Sequence, residues 1–430
     1  MPDRRAAAEP VSATGASGLP RGTAAFGLAI LTLLNFVNYI DRYVLPAVAP
    51  RVKEALSLTD EQLGLVGSAF LLSYLFTSPA FGYLGDRFSR TRLMGLGVAL
   101  WSVATAGAGL ARSFAQMIVA RGAVGVGEAS YAAISPAMLS DYYPRERRGR
   151  VFAIFYLAIP VGSAVGYLLG GLLEHHFGWR AAFFAVGLPG LLLALLTLTI
   201  ADVPRGINDP EEADSDQASY LGSLLALACN ARYVRAVLGY AAYTFAVGGL
   251  SFWAPVYFSR ERGLPLGRAD LLVGGVSVVA GIGGTFAGGW LADRLAARMR
   301  QAYLYVSGVS MLLAIPLSWV ALAARTPVVY VGALLLAEFM VFLSTGPINV
   351  VIVSVVPVAM RATAMAVSIF VIHLLGDAAA PWVVGALSDR LGLARAVLIM
   401  PFAIALSGVI WTAAASVAAR KDAPTSADPG

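Results

Sequence analysis

The sequence predicts an all-α membrane protein of twelve transmembrane helices in two six-helix bundles, with inverted three-helix repeats within each half. Three observations carry this. The chain is 58% hydrophobic and only 13% charged, with a mean hydropathy of +0.73, whereas a soluble domain is about a quarter charged. Its apolar residues gather into stretches near the ~20 residues a helix needs to cross a bilayer. Motifs that end helices in the first half also return at the matching helix ends of the second.

The expected spans are 24–50, 60–83, 92–111, 113–140, 150–173 and 180–202, then 233–258, 269–292, 302–324, 327–356, 364–387 and 393–418. Residues 1–23 are polar and small, and are expected to form a disordered cytoplasmic tail ahead of an apolar run too long for a signal peptide. Residues 203–232, with Asp209, Glu211, Glu212, Asp214 and Asp216, are expected to be a cytoplasmic linker. They separate an N-terminal bundle over 24–202 from a C-terminal bundle over 233–418, and 419–430 form a C-terminal tail.

Orientation follows from the basic residues. With the N-terminus inside, 19 Lys and Arg fall in or at the edges of inner segments and 10 in outer ones, an inward excess led by Arg145, Arg147, Arg148 and Arg150. Both termini are therefore expected in the cytoplasm, and the basic charge reflects topology and not nucleic-acid binding. Arginine outnumbers lysine 29 to 2, a coding habit that hints at a GC-rich bacterial genome, and the expected location is the bacterial inner membrane. The single cysteine, Cys229, excludes an intrachain disulfide and a cysteine metal cluster.

The repeats lie where inverted units would put them. Gly82-Tyr-Leu84-Gly-Asp86-Arg87 ends the second span and Gly289-Trp-Leu291-Ala-Asp293-Arg294 the eighth. Gly170-Gly-Leu172-Leu-Glu174 ends the fifth and Gly385-Ala-Leu387-Ser-Asp389-Arg390 the eleventh, on the opposite face.

Gly82-x-Leu84-x-Asp86-Arg87-x-x-Arg90-x-Arg92 resembles the loop signature of the major facilitator superfamily, and Arg121-x-x-x-Gly125-x-Gly127-x-Ala129 its fourth-helix motif. A narrower resemblance is to the Spinster family of lysolipid and sphingolipid transporters. It rests on Asn38-Tyr39-Ile40-Asp41-Arg42, Gly127-Glu128-Ala129-Ser130-Tyr131, the run from Ile159 to Tyr167 and the run from Phe177 to Phe184. The resemblance implies the major facilitator fold, a central cavity lined by spans one, four, seven and ten, and a cytoplasmic gate of Gly82, Asp86, Arg87, Arg90, Asp293 and Arg294.

Charge inside a membrane costs ~2.5–3.5 kcal/mol per residue on insertion scales, so such residues face a cavity or a partner. Asp41 and Arg42 in span one, Arg121 and Glu128 in span four and Glu338 in span ten are the clear cases. Arg121 and Glu128 share a helix face but lie ~10 Å apart along the axis, too far to pair with each other. The simplest network is interhelical, with Arg42 near Glu128 and Asp41 near Arg121 or water. Either these are fixed staples between helices or they form a switchable network. Burial favours a protonated carboxyl and a nearby arginine the ionised one, so Asp41 is the leading proton-coupling site and Glu128 the second. Arg42 and Arg121 suit an anionic headgroup, since guanidinium stays charged and grips phosphate with a planar fork. Glu338 is either a partner for a cationic headgroup or a hydrogen-bonded helix contact. Tyr240, Tyr243, Phe245, Trp253, Phe339 and Phe342 are the expected tail contacts. His373 and Asp377, at i, i+4, suit a local pair better than a relay, while His175 and His176 lack a third ligand for zinc.

No GxxxxGK[ST] loop and no HExxH pair occur, so neither ATP-driven pumping nor metal-assisted hydrolysis is expected. No enzyme, cofactor, metal or catalytic residue is foreseen. The expected function is proton-coupled secondary transport by alternating access, as a monomer, of a lysolipid or sphingolipid-like amphiphile, with protons and membrane lipids as the other partners. The rival within transport is a proton-coupled carrier of a small organic anion or sugar. A transporter-like receptor or scaffold is the rival of a different class.

Overall fold

The computed structural model describes residues 21–205, 207, 220–357 and 360–422. The helices begin and end where local chemistry directs. α1 (Arg21–Leu56) carries Pro46 and Pro50 within a long apolar run. α2 (Asp60–Arg87) starts at a reciprocal capping box between Thr59 and Gln62, which satisfies two otherwise orphaned backbone donors. Serine hydroxyls cap α3 (Arg90–Leu110) and α4 (Phe114–Tyr142) at Ser89 and Ser113. α5 (Arg145–Phe177) stops at Gly178, whose φ of 81° a side chain would resist, and α6 (Trp179–Thr197) starts immediately after it.

A short α7 (Tyr220–Cys229) lies within the segment expected to be a plain linker; residues 208–219 of that segment are outside the described residues, as are most of the two tails. The Asn230 side chain then caps α8 (Ala231–Arg260), which is followed by α9 (Leu266–Ala296) and α10 (Ala302–Ala323). The last three expected spans are each broken. The tenth is α11 (Pro327–Phe342) and α12 (Thr345–Ser354). The eleventh is α13 (Arg361–Ile372) and α14 (Ala380–Leu391), joined by a π-helical turn over His373–Asp377. The twelfth is a short α15 (Leu393–Ala396) and α16 (Ile399–Asp422). Gly392, between the eleventh and twelfth stretches, has the same φ of 81° as Gly178 between the fifth and sixth.

Among the described residues, eleven helical stretches are long and apolar enough to cross a membrane. α4 falls outside that set; it is as long as the others but carries Arg121 and Glu128 in its interior. Large apolar side chains point outward all round, among them Val328, Phe286, Leu96 and Val119, each more than two-thirds exposed. Such a surface belongs in lipid. The protein is an all-α, multi-span membrane protein.

Helices α1–α6 pack chiefly among themselves, as do α8–α16, and two extensive seams join the groups: α2 with α14, and α5 with α9. Both seams are tightest at one end of the molecule. There a Cβ on Gly64 of α2 would stand 2.1 Å from the Pro381 carbonyl oxygen, and one on Gly385 of α14 would stand 2.2 Å from that of Asp60. Only glycine allows backbones so close. This will be called the Asp60 end, and the opposite one the Asp86 end.

Candidate transport site

Midway along α1, the side chain of Asp41 is wholly buried between α3 and α4. It accepts a hydrogen bond from the Thr105 hydroxyl and meets Arg121 Nη1 at 3.4 Å. One residue on, Arg42 turns to a different flank and donates from Nε to Glu128 Oε2 at 2.9 Å. The ~100° between successive helical side chains separates the two pairs. Arg42 is held by three rings besides, its guanidinium carbon lying 4.9, 5.0 and 5.1 Å from the centres of Tyr39, Tyr74 and Phe70. Cations over ring faces in a dry setting gain up to ~2 kcal/mol.

The accessibility of the four charges differs. Asp41, Arg121 and Glu128 are sealed, at 0–2% side-chain exposure, while Arg42 keeps 16%. Glu128 Oε1, Asn38 Nδ2 and Arg121 Nε are buried without a hydrogen-bond partner among the described residues. The network is therefore incompletely satisfied, which leaves it capacity to accept a proton, a water or a rearranged partner.

Beside this cluster lies a cavity of about 540 Å³ between α5, α8, α9 and α11. Its walls are almost wholly apolar, and Glu338 is the one acid or base among its described lining residues. Glu338 accepts from the Ser277 hydroxyl at 2.8 Å. Of the aromatics expected to line a cavity, Phe342 does so. Trp253 is buried and donates to the Pro381 carbonyl at 3.0 Å; Tyr240 and Tyr243 pack on each other and on Trp411. Phe339 lies against Gly283 and Gly284 of α9, and Phe245 is partly buried. Tyr43, Tyr156 and Tyr167 supply aromatic lining from the first half instead.

α5 and α9 are zipped at the Asp60 end, where Gly171 meets Gly267 and Asp270 and Gly274 meets Tyr167. Farther along, the lining residues Leu157 and Tyr156 of α5 and Ile282 and Phe286 of α9 are exposed.

The Asp60 end is locked by a cluster that sequence reasoning did not single out. Asp60 is 2% exposed and bonded by Lys53 Nζ at 2.5 Å, Arg260 Nη1 at 2.8 Å and the Ser388 hydroxyl at 2.5 Å. Asp389 in turn accepts from the backbone N–H groups of Asp60 and Glu61 at 2.9 and 2.8 Å. α1, α2, α8 and α14 thus meet at one carboxylate. The sequence signal for Asp60 was only its place in the first helical turn, where acids are common for local reasons.

At the Asp86 end, Asp86, Arg87, Asp293 and Arg294 are exposed, and among the described residues none of them bonds across the two halves. Arg87 lies over Tyr83, Arg294 over Trp290, and Asp293 accepts from Tyr303. A Cβ on Gly82 would meet nothing within 4 Å. Arg90 behaves differently: it is buried and ties α3 to Asp141 at 2.5 Å, Asp202 at 3.1 Å and the Val203 carbonyl at 2.5 Å. His373 Nδ1 lies 2.9 Å from Asp377 Oδ1, within the π-helical turn.

Comparison with known proteins agrees with this architecture. Residues 31–381 match the model of the Major Facilitator Superfamily. Protein spinster homolog 3 of Danio rerio is 33% identical over 415 residues, covering 89% of this chain and 83% of that protein. Protein spinster homolog 1 of Homo sapiens is 34% identical over 399 residues, covering 87% and 75%. A bacterial homologue of the human lysosomal transporter Spinster, solved inward-facing and unoccupied, superposes with a TM-score of 0.86 at 23% identity, over 95% of this chain and all of that one. Its occupied form gives 0.78 at 24% identity, with the same coverage. The chain belongs to the major facilitator superfamily, as a secondary transporter homologous to the Spinster family.

Proposed function

We propose that the protein is a proton-coupled transporter of a lysolipid or sphingolipid-like amphiphile, working by alternating access as a monomer in a bacterial inner membrane. α4 is the remaining span, giving twelve in two six-helix bundles related by inverted repeats, with both termini cytoplasmic. The observation that carries the substrate class is the cavity, which is almost wholly apolar and about 540 Å³. A ~16-carbon tail fully exposed to water would cost roughly 13 kcal/mol at ~0.8 kcal/mol per CH₂, so a carrier must shelter it throughout the passage. A cavity with one acid and no base among its described lining residues offers little to a sugar or a small organic anion.

Charge placement supports a division of labour. The tail lies against α9 and α11 of the second half, and the headgroup reaches toward Arg42, the most accessible of the four first-half charges. Glu338 meets any cationic part of that headgroup. Arg121, being sealed, acts on Asp41 and reaches an anion only if the cluster rearranges. Proton binding at Asp41, with Glu128 as second site, changes what holds Arg121 and Arg42, and so biases one conformation against the other. The positive-inside excess puts the Asp60 end outside. The structure described is then the inward-facing state, and Asp86, Arg87, Asp293 and Arg294 close the inside when the outer lock parts.

The test is flux in proteoliposomes against a panel of lysolipids, with and without a pH gradient. The wild type should move lysolipid faster with the gradient. Asp41→Asn should bind lysolipid yet lose the gradient's effect. Gradient-driven flux of small anions with none of lysolipids would sink the lipid reading and promote the small-anion carrier. No flux of any solute, with ligand binding intact, would favour a receptor.

A further inference from the structure

Asp270, in the second turn of α9, is completely buried, and neither carboxyl oxygen has a hydrogen-bond partner among the described residues. It sits in the seam between the two halves. A Cβ on Gly171 of α5 would stand 2.6 Å from its Oδ2 and 3.1 Å from the Gly267 Cα, so the helices close directly over the carboxyl group.

Among the described residues its surroundings supply no counter-charge, and Arg268, two residues before it on α9, is exposed. α5 brings Tyr167, whose hydroxyl is given to the Ser251 carbonyl, and Glu174, an acid whose Oε1 is held by Arg51 of α1 at 2.9 Å. His175 and His176, next on α5, are exposed. From α8, Tyr257 bonds the Leu322 carbonyl and Arg260 is held by Asp60. α11 brings Tyr330 and also Glu338, which is bonded to Ser277, two turns farther along α9. α10 and α12 carry no acid or base apart from tyrosines. A carboxylate ion enclosed this way has neither donor nor cation to replace lost water, whereas a neutral carboxyl group gives up far less.

We propose that Asp270 is a proton-binding site tied to the α5/α9 seam: the closed seam holds its proton, and parting the seam wets the group and releases it. This rests on the alternating-access reading above. The site differs from Asp41, whose partners Arg121 and Thr105 lie in its own half of the molecule. By linkage, a rise in pH at the Asp60 end withdraws the proton and favours the open seam, while acidification favours the closed one. The carboxyl group thus makes the outer gate responsive to the medium it faces.

The test is distance measurement between spin labels at Phe177→Cys and Leu271→Cys, both exposed apolar positions, in a Cys229→Ser background in lipid nanodiscs. Between about pH 5 and about pH 9 the parent should gain open population, by up to about tenfold per pH unit if one proton is released. Asp270→Asn, which is permanently neutral, and Asp270→Leu, which also lacks donors, should stay closed throughout. An unchanged pH response in both neutral variants would overturn the proposal. Asp60→Ala separates its failure from that of its parent reading. A seam that parts in Asp60→Ala but ignores pH in the parent keeps alternating access and removes Asp270; a seam fixed in every protein removes both.

Discussion

Asp41 and Arg121 are both sealed from water, with Thr105 as the third member of the group, so neither can fall back on solvent when the other is removed. Breaking a buried pair leaves an uncompensated charge, at a typical cost of about 3–5 kcal/mol. Arg121→Ala should therefore lower stability by that order in detergent unfolding, and Thr105→Ala by only about 1 kcal/mol. The double variant Asp41→Asn with Arg121→Ala should recover part of the loss, because no lone charge remains. Full additivity of the two single losses would show that the pair is not coupled. These pairings were legible in the sequence because intramembrane charges are rare and the seven-residue spacing of Arg121 and Glu128 forces each to look to another helix. The role of Asp60 was not legible. Its partners Arg260 and Ser388 lie 200 and 328 residues away, and locally it looks like any first-turn acid.

Helices α2 and α14 touch backbone to backbone at Gly64 and Gly385, so a methyl group at either position opposes the closed Asp60 end. At Gly82 and Gly289, toward the other end of α2 and α9, an added methyl group would meet nothing within 4 Å in this conformation. Gly385→Ala should accordingly shift the population toward opening at the Asp60 end, whereas Gly82→Ala should leave this conformation untouched. If the Asp86 end closes in the same manner, Gly82→Ala should hinder that closure and slow turnover while stability stays within about 0.5 kcal/mol. Cysteine crosslinking across each end checks both, and equal crosslinking in wild type and Gly385→Ala would contradict the packing argument. The breaks in the last three spans escaped sequence reading. Continuous apolar runs conceal the interruption at 343–344, and the π-helical turn at His373–Asp377 has no proline to announce it.

Across the whole molecule, one end is locked through a four-helix cluster on Asp60 while the Asp86 end shows no such bond among the described residues. Asp60→Ala removes the group that Lys53, Arg260 and Ser388 share, leaving two cations facing each other across the seam. Spin-label distances should show the Asp60 end parting in a larger fraction of molecules. A second change of Arg260→Ala should reduce the effect by relieving the repulsion. An unaltered distance distribution in Asp60→Ala would mean that the glycine contacts alone hold this end.

Length, hydropathy and recurrent motifs were enough for the membrane class, the helix positions and the superfamily, because a bilayer demands apolar runs of set length and internally satisfied backbones. They were enough also for which charges must pair inside the membrane. They could not say which face of a helix looks into a cavity: Tyr240, Tyr243 and Trp253 are packed against neighbours, while Tyr43, Tyr156 and Tyr167 line the space. Aromatic content is the same on either face, and only packing between helices distant in the chain separates them. Nor could they reveal that Asp270 is closed over by Gly171, a contact spanning 99 positions that exists only when two halves of the chain come together.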